Sequence, residues 1–445
     1  MMRSNRFPFV LVFAIMIVTI AAYGYYGKIG NNNVHDRYSE LGQAFLSGHT
    51  YLDINPATGG VGDTSLYQGK YYLYFGPVPT LLPWMLVQWL TGVKLGERQL
   101  VFFFSALGTC CLIWLLATIA QNASIPQWVL PFILLPVCFG TWLPIVLRYG
   151  KFYQVSISGA YCFMAIGLLC LWYGSSDFTK HPTWWKIGAS LGFGLVVGCR
   201  LFYAMDIVVL FIIWLFGLRK YNLQRNLWEG LTLAMPWTLC IAGLACYNYE
   251  RFGSIFETGY AYSVDGPDSY HLHYIHSGVL EWRLANIPAH FYTYFLTPLP
   301  LSKLLPWNSD FGVVTLLKYP YDQEGYAYGL WHNSPFSLWS LWFLLNLRTC
   351  RTWLGSAYGF VIGAVIATLG LTLFVLGYQY IAARYMVDFS PWVMFVAVLG
   401  YIQALQTSSG RYRWAVLMSG GFMALWSVYV GLANAYCGYS PCIGP

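Results

Sequence analysis

Four cationic side chains stand where apolar runs of the sequence end, and their positions suit anion binding: Arg148, Lys151, Arg200 and Arg384. An ionised side chain at membrane depth is costly, so it usually lines a cavity or meets a partner. Arg forms forked hydrogen bonds to phosphate, and a lipid phosphate headgroup lies at this depth. The alternative is that these cations form ion pairs with Asp206 and Asp388 or reach toward lipid headgroups. We favour a shared phosphate ligand.

Asp36 is a candidate general base. It precedes a short amphipathic pattern, which predicts an interfacial helix with one apolar face formed by Tyr38, Leu41, Phe45 and Leu46. At the positive end of a helix, in surroundings of low dielectric, a carboxylate can act as a base. Asp36 could equally cap the helix. Both interpretations stay open.

The rest of this segment is aromatic and is broken by proline. Residues 67–75 could stack on a sugar ring, but an interfacial aromatic belt predicts the same residues and is the better interpretation. Gly76-Pro77-Val78-Pro79 then precedes an apolar stretch too short for a secure span. We expect that stretch to dip into the outer leaflet or lie on it.

Two later groups complete the candidates. The stretch 247–263 carries Arg251 and Glu257 among aromatic residues and glycines, and it could bind an acceptor or order the outer face. His271, His273 and His276 alternate as metal ligands can, but no carboxylate or cysteine joins them, so a structural loop is the better interpretation. Most cysteines lie in apolar runs, where they pack as small apolar residues, and only Cys437 and Cys442 are positioned to pair.

The composition identifies the class of protein. Of 445 residues, 58% are hydrophobic and only 9% are charged, too few to cover a water-soluble surface of this size. The net charge of +7 does not indicate nucleic-acid binding, because Lys and Arg stand singly between apolar runs. The sequence therefore excludes a soluble enzyme and predicts an all-α polytopic membrane protein.

Apolar runs of about 20 residues can cross the hydrocarbon core as helices. Eleven such spans are predicted. The run Ile187–Leu218 counts as two of them, because Arg200 interrupts it, and the other nine are Phe7–Tyr23, Leu100–Ala120, Trp128–Leu147, Val155–Tyr173, Leu231–Tyr247, Phe336–Leu347, Trp353–Leu376, Tyr385–Leu405 and Trp414–Leu432.

The positive-inside rule orients these spans with the N-terminus in the cytoplasm and the C-terminus outside. The first span is then an uncleaved signal anchor. Of the 17 acidic residues, only Asp177 and Glu229 fall on the cytoplasmic side, so any chemistry is expected outside. We expect one membrane-embedded domain over residues 1–445, with outer loops at about 28–97 and 248–329.

The order of several motifs resembles that of a known superfamily. Asp36-Arg37-Tyr38 is followed by Leu46-Ser47-Gly48 and Tyr74-Phe75-Gly76-Pro77. The later stretches are 152–157, 247–259 and 384–391. In this order the chain is similar to the membrane-embedded GT-C glycosyltransferases, particularly the branch with lipid A aminoarabinose transferases and protein O-mannosyltransferases, and to uncharacterised bacterial proteins grouped with them.

The resemblance implies a role for each candidate. Asp36 would be the general base, and Asp63 a second catalytic acid, because this chain has Phe75-Gly76 where the family often has an acid beside the proline pair. Arg148, Lys151, Arg200 and Arg384 would neutralise the donor phosphate. Contacts with substrate would come from Arg37, Tyr38, Tyr74, Gln154, Arg251 and Glu257, Gln154 standing where relatives tend to have Glu. Some members use a divalent metal, Mg or Mn, so that cofactor stays open.

The resemblance also implies a reaction. A sugar would pass from a polyprenyl-phosphate donor to a lipid, glycan or protein acceptor of the cell envelope, with inversion at the anomeric carbon. The enzyme would act on the extracytoplasmic face of a bacterial cytoplasmic membrane, among membrane lipids and without nucleic acid. The alternatives are a carrier or flippase for a lipid-linked or anionic solute, and a structural subunit of an envelope assembly. A carrier would place its charged residues near mid-membrane; the acids of this chain lie in outer loops, which favours the enzyme.

Overall fold

The computed structural model describes residues 8–28, 36–55, 62–175, 181–218, 222–264, 282–297, 329–378 and 381–437. In chain order the helices are α1 Phe9–Gly27, α2 Arg37–Leu46, α3 Met85–Thr91, α4 Glu97–Asn122, α5 Leu130–Phe139, α6 Leu143–Tyr149, α7 Phe152–Ser175, α8 Pro182–Val197, α9 Ile207–Leu218, α10 Leu223–Phe252, α11 Ile287–Phe291, α12 Leu330–Asn333, α13 Trp339–Leu345, α14 Arg351–Leu354, α15 Tyr358–Gly377, α16 Met386–Thr407 and α17 Gly410–Cys437. The strands are β1 Thr64–Tyr67, β2 Lys70–Tyr72 and β3 Ser263–Val264.

Membrane-spanning helices dominate the described part of the chain, which confirms the all-α polytopic fold. Seven helices there are long and apolar enough to cross a membrane, and the bent pair Gln127–Phe139 and Leu143–Tyr149 makes up to eight. Leu201–Phe216 and Pro335–Leu345 are shorter apolar helices. A count of eleven spans stays a prediction. The helix Ala383–Thr407 lies at the centre of the bundle, since 94% of its membrane-length stretch is buried.

The predicted break at Arg200 is present. Helix α8 ends at Val197, and a 3₁₀ helix begins at Leu201 and leads into α9. Between them Arg200 is extended, with φ −145° and ψ 113°. The backbone at Arg200 is therefore no longer helical, and Arg200 lies in the short break between α8 and the 3₁₀ helix.

The two segments expected to form outer loops keep the names first and second outer segment here, and the first begins with the predicted amphipathic helix. Helix α2 buries Tyr38 and Leu41 completely. Past the proline-rich turn, a π-helical turn at Thr80–Trp84 continues into α3, where Trp89 is 81% exposed. A short helix with an exposed tryptophan agrees with the expectation that this stretch lies on or in the outer leaflet, which itself stays a prediction.

A three-stranded antiparallel sheet was not expected from the sequence. Its order is β2-β1-β3, with Ser65 opposite Tyr72 and Thr64 opposite Val264. Strand β3 belongs to the second outer segment, so the sheet joins the two outer segments. The hydroxyl of Ser65 also donates to the carbonyl of Gly259, at 2.6 Å.

Helix α10 leads the chain into that second segment. The side chain of Asn222 accepts a hydrogen bond from the backbone N–H of Arg225 and caps the start of α10. The helix ends at Gly253, whose φ of +69° is the left-handed conformation that favours glycine after a helix. The histidine group at 271–276 and Cys442 lie outside the described residues, as does the Cys437 side chain.

The proline-rich turn docks on α8 through two glycines. The backbone N–H of Val78 donates to the carbonyl of Gly198 at 3.2 Å. A Cβ atom on Gly76 would lie 2.0 Å from that same carbonyl oxygen. Because the obstacle is backbone rather than a flexible side chain, the close approach of the turn requires glycine at this position.

We therefore expect Gly76→Ala to lower the unfolding free energy by about 1 to 3 kcal/mol through overpacking. The measurement is the midpoint of thermal unfolding in detergent, followed by tryptophan fluorescence. Gly62→Ala is the matched control in the same outer segment, because a Cβ atom there meets nothing within 4 Å. Equal midpoints for the two variants would contradict the proposed docking of the turn.

Candidate functional site

One cavity of about 430 Å³ opens where the outer segments meet the ends of the helices. Its lining includes five of the residues singled out in the sequence: Asp63, Tyr74, Arg200, Arg251 and Arg384. Asp388 and Tyr153 line it as well. Two carboxylates, several phenols and three guanidinium groups thus line one space, together with apolar side chains.

Asp63 stands directly before β1, in a conformation set by its backbone. Its φ is +59°, which is uncommon for a non-glycine residue but is tolerated by aspartate, and its N–H donates to the carbonyl of Val264 at 3.1 Å. The sheet therefore holds the backbone of Asp63 in place at the cavity wall.

The Asp63 carboxylate ends a chain of phenol hydroxyls. The hydroxyl of Tyr74 donates to that of Tyr153 at 3.0 Å, and Tyr153 donates to Oδ1 of Asp63 at 2.5 Å. Burial raises the pKa of Tyr74 well above its ordinary value, with the nearby Tyr153 adding to the effect. Tyr74 is therefore protonated and keeps the direction of this chain toward Asp63.

Arg200 and Asp388 form a buried ion pair in the lining of the cavity. Nη2 of Arg200 lies 2.8 Å from Oδ2 of Asp388, and their side chains are 9% and 0% exposed. Tyr203 donates to the backbone carbonyl of Asp388 at 2.9 Å. The ion pair with Asp388, which was the alternative to phosphate binding, is therefore present, and Arg200 still lines the cavity. Asp206, the other acid considered, instead accepts a hydrogen bond from Nε1 of Trp237 at 3.2 Å.

Arg384 reaches the cavity one helical turn before Asp388. Its guanidinium carbon lies 4.2 Å from the ring centroid of Tyr153 and 5.4 Å from that of Tyr385. Cation–π contacts of this kind hold a guanidinium over a ring. The two rings help to hold the Arg384 guanidinium in the cavity lining, where a forked donor can approach an anion.

Arg251 binds the backbone of both outer segments. It donates to the carbonyl of Leu73 at 2.7 Å and to that of Thr258 at 3.4 Å, and to Oδ1 of Asn248 at 2.7 Å. Glu257 accepts from the N–H of Gly259 at 2.7 Å and is not part of the cavity lining. Arg251 is therefore mainly a clamp on the loops that shape the cavity.

The remaining candidates of the first outer segment lie outside this cavity. Asp36 accepts from the N–H of Glu97 at 3.3 Å and so caps α4, with no capping hydrogen bond to its own helix. Arg37 pairs with Glu40 at 2.9 Å and donates to the carbonyl of Gly62, next to Asp63, at 3.3 Å. Tyr38 is fully buried. The functional roles of these residues stay predictions.

The candidates around the start of α7 also have local partners. Arg148 donates to the carbonyl of Ala435 at 3.0 Å and ties α6 to α17. Lys151 is exposed, and its backbone N–H donates to Oε1 of Gln154 at 3.2 Å, so Gln154 caps α7. The structure does not bring this group together with Arg200 and Arg384 in the cavity.

Tyr153 and Asp388 are cavity residues that were not among the predicted site residues. Both lie in stretches that carried the family resemblance, at 152–157 and 384–391. The resemblance therefore marked both stretches as important. Hydropathy alone could not show that Tyr153, in the first turn of α7, reaches Asp63.

The described residues contain no preformed cluster of metal ligands. Among them no three His, Cys, Asp or Glu side chains come together, and Asp388 is already paired with Arg200. The expected Mg or Mn stays a prediction.

Comparisons with known proteins identify the fold. No protein-family profile and no curated sequence matches the chain. The oligosaccharyltransferase AglB of Archaeoglobus fulgidus, in complex with an inhibitory peptide and a dolichol-phosphate, superposes with a TM-score of 0.51 at 12% identity over 99% of this chain and 57% of that one. An Archaeoglobus fulgidus oligosaccharyltransferase tethered with an acceptor peptide gives a TM-score of 0.50 at 12% identity, over 98% of this chain and 56% of that one. ArnT of Cupriavidus metallidurans bound to undecaprenyl phosphate gives 0.48 at 11% identity, over 96% and 77%.

At these identities the likeness concerns the fold. The chain has the fold of the GT-C glycosyltransferases, which confirms the resemblance found in the sequence at that level. It spans only about 57% of the length of the oligosaccharyltransferase.

The buried ion pair makes a prediction for stability. We expect Arg200→Leu or Asp388→Leu alone to cost about 3 to 5 kcal/mol of unfolding free energy, because each leaves one buried charge without its partner. The double variant should recover most of that loss. Reversible unfolding in mixed detergent micelles measures the coupling energy between the two residues. A loss in the double variant equal to the sum of the two single losses would contradict the ion pair. Asp53→Asn is the control, since Asp53 is 69% exposed and its contact with His49 should be worth less than about 1 kcal/mol.

Proposed function

We propose that this protein is an inverting glycosyltransferase that moves a sugar from a polyprenyl-phosphate donor to an envelope acceptor on the extracytoplasmic face of a bacterial cytoplasmic membrane. The observation that carries the proposal is the cavity that combines Asp63 with Arg200 and Arg384. A base and a set of cations on one space are what this reaction needs, because it removes a proton from one oxygen and leaves negative charge on another.

The donor phosphate is proposed to lie against Arg384 and Arg200. Asp388 offsets part of their charge, but two guanidinium groups carry more positive charge than one carboxylate offsets, so the site still attracts an anion. As the bond between the anomeric carbon and the phosphate oxygen breaks, charge grows on the lipid phosphate, and guanidinium groups already in place stabilise it. The AglB structure that shares the fold is a complex with a dolichol-phosphate, which supports this class of donor.

A second space is suited to the lipid tail of the donor. A groove of about 530 Å³ runs between α2, the proline-rich turn, α8 and α10, and Leu244 lines both the groove and the cavity. Glycines leave it room at positions 194, 198 and 243. The membrane-length stretch of α10 is only 6% buried, so the groove beside it can open to the bilayer. A polyprenyl chain would thus leave the phosphate end of the cavity into lipid.

Asp63 is proposed as the general base. The acceptor hydroxyl oxygen attacks the anomeric carbon from the face opposite the phosphate while Asp63 takes the hydroxyl proton, and the lipid phosphate leaves with the electron pair of the broken bond. The sugar is transferred with inversion. We prefer Asp63 to Asp36 because Asp63 lines the cavity and Asp36 caps α4. The acceptor stays open between lipid, glycan and protein.

The choice of base is tested by two isosteric variants. We expect Asp63→Asn to lower the transfer of labelled sugar from polyprenyl-phosphate donors by about 100-fold to 10,000-fold, because it removes the base. Asparagine tolerates the left-handed conformation of residue 63, so the fold should persist. Asp36→Asn is the matched control and should keep most of the activity, since asparagine caps a helix equally well.

The opposite result, activity lost in Asp36→Asn and kept in Asp63→Asn, would move the base to Asp36. No transfer by the wild-type protein, with acceptor-rich native membranes supplied, would sink the enzyme proposal and favour a carrier or flippase.

The tail groove is tested by filling it. A Cβ atom on Gly243 meets nothing within 4 Å, so Gly243→Leu should fold normally and place its side chain in the groove. We expect the KM for a long polyprenyl-phosphate donor to rise about tenfold, while the KM for a donor with a two-isoprene tail stays unchanged. Ala242→Leu is the control, because Ala242 is exposed and does not line the groove. Equal effects on both donors would rule out the groove as the tail site.

A further inference from the structure

Tyr153 contacts both Asp63, the proposed base, and Arg384, the proposed phosphate-binding cation. Its hydroxyl donates to Oδ1 of Asp63 at 2.5 Å, and its ring centroid lies 4.2 Å from the guanidinium carbon of Arg384. Among the described residues around the cavity, it therefore joins the proposed base to the proposed phosphate cation through a single rigid side chain.

The orientation of Tyr153 is held from several sides. Tyr74 donates to its hydroxyl at 3.0 Å, and the ring of Phe75 packs edge-on at a centroid distance of 5.4 Å. Tyr153 is also the second residue of α7, a helix whose start is capped by Gln154. A ring anchored in this way leaves little freedom to the two groups that it touches.

We propose that Tyr153 is a positioning residue that sets the separation between base and phosphate cation. The inference rests on the proposed function. Displacement at the anomeric carbon requires the acceptor oxygen, the carbon and the leaving oxygen to lie in line, so base and cation must stand a fixed distance apart. The Tyr153 side chain spans that distance, from Asp63 at its hydroxyl to Arg384 at its ring. Because the hydroxyl donates to Oδ1 of Asp63, the proton of the acceptor goes to Oδ2.

The two contacts of Tyr153 can be removed separately. Tyr153→Phe keeps the ring beneath Arg384 and removes the hydroxyl, with its hydrogen bond to Asp63 and the one that it accepts from Tyr74. Tyr153→Leu removes both contacts. Tyr74→Phe is the matched control, because it removes the next hydroxyl of the chain without touching Asp63 or Arg384.

The experiment combines two readouts on purified full-length protein. The first is the dissociation constant for undecaprenyl phosphate, and the second is kcat for sugar transfer. We expect Tyr153→Phe to bind the lipid phosphate within about twofold of wild type but to lose about 100-fold in kcat. Tyr153→Leu should lose kcat similarly and also bind about tenfold more weakly. Tyr74→Phe should lose less kcat than Tyr153→Phe.

A purely structural role for Tyr153 would not separate binding from turnover in this way. Unchanged kcat in Tyr153→Phe would overturn the inference, and so would equal loss of lipid affinity in the Phe and Leu variants. Tyr153→Phe alone decides the hydroxyl contact if the Leu variant fails to fold. If wild type binds the lipid phosphate but transfers no sugar, the proposed function and the base contact both fail, and the affinities still decide the contact with Arg384.

Discussion

The ion pair between Arg200 and Asp388 is the contact on which the arrangement of the site depends. A charge placed away from water is tolerated only with a partner, so the break after α8 has to stand beside the start of α16. The same contact brings Arg384 to the cavity, because it lies one turn before Asp388 on the same chain segment. A hydrogen bond from Tyr203 to the backbone of Asp388 holds this wall in register.

The other part of the lining is built from loops, which backbone hydrogen bonds hold together. The three-stranded sheet joins Asp63 to Val264, while Arg251 binds the carbonyls of Leu73 and Thr258. Without the second segment the N–H of Asp63 and the carbonyl of Leu73 would lose these partners, so the two segments order each other. The side chains that line the cavity are thus carried by one wall of helix ends and one wall of paired loops.

The sequence was sufficient for the features that depend on hydropathy and charge. It predicted the polytopic helical fold, the break at Arg200 and the short amphipathic helix α2, because each follows from an apolar period or an interrupting charge. It could not separate the cations of the cavity from Arg148 and Lys151, since local contacts such as the bond from Arg148 to Ala435 depend on how helices pack. The sheet was missed because Thr64 pairs with Val264, far along the chain.

The pairing of β1 with β3 also has a consequence for biogenesis. Asp63 is synthesised early, but the strand that holds its backbone follows α10 in the chain. The ion pair of Arg200 cannot form until Asp388 has been synthesised. Contacts between such distant residues form late, since the intervening loop must close first. During synthesis the two parts of the cavity lining therefore exist apart, and most of the helices are made before the cavity can form.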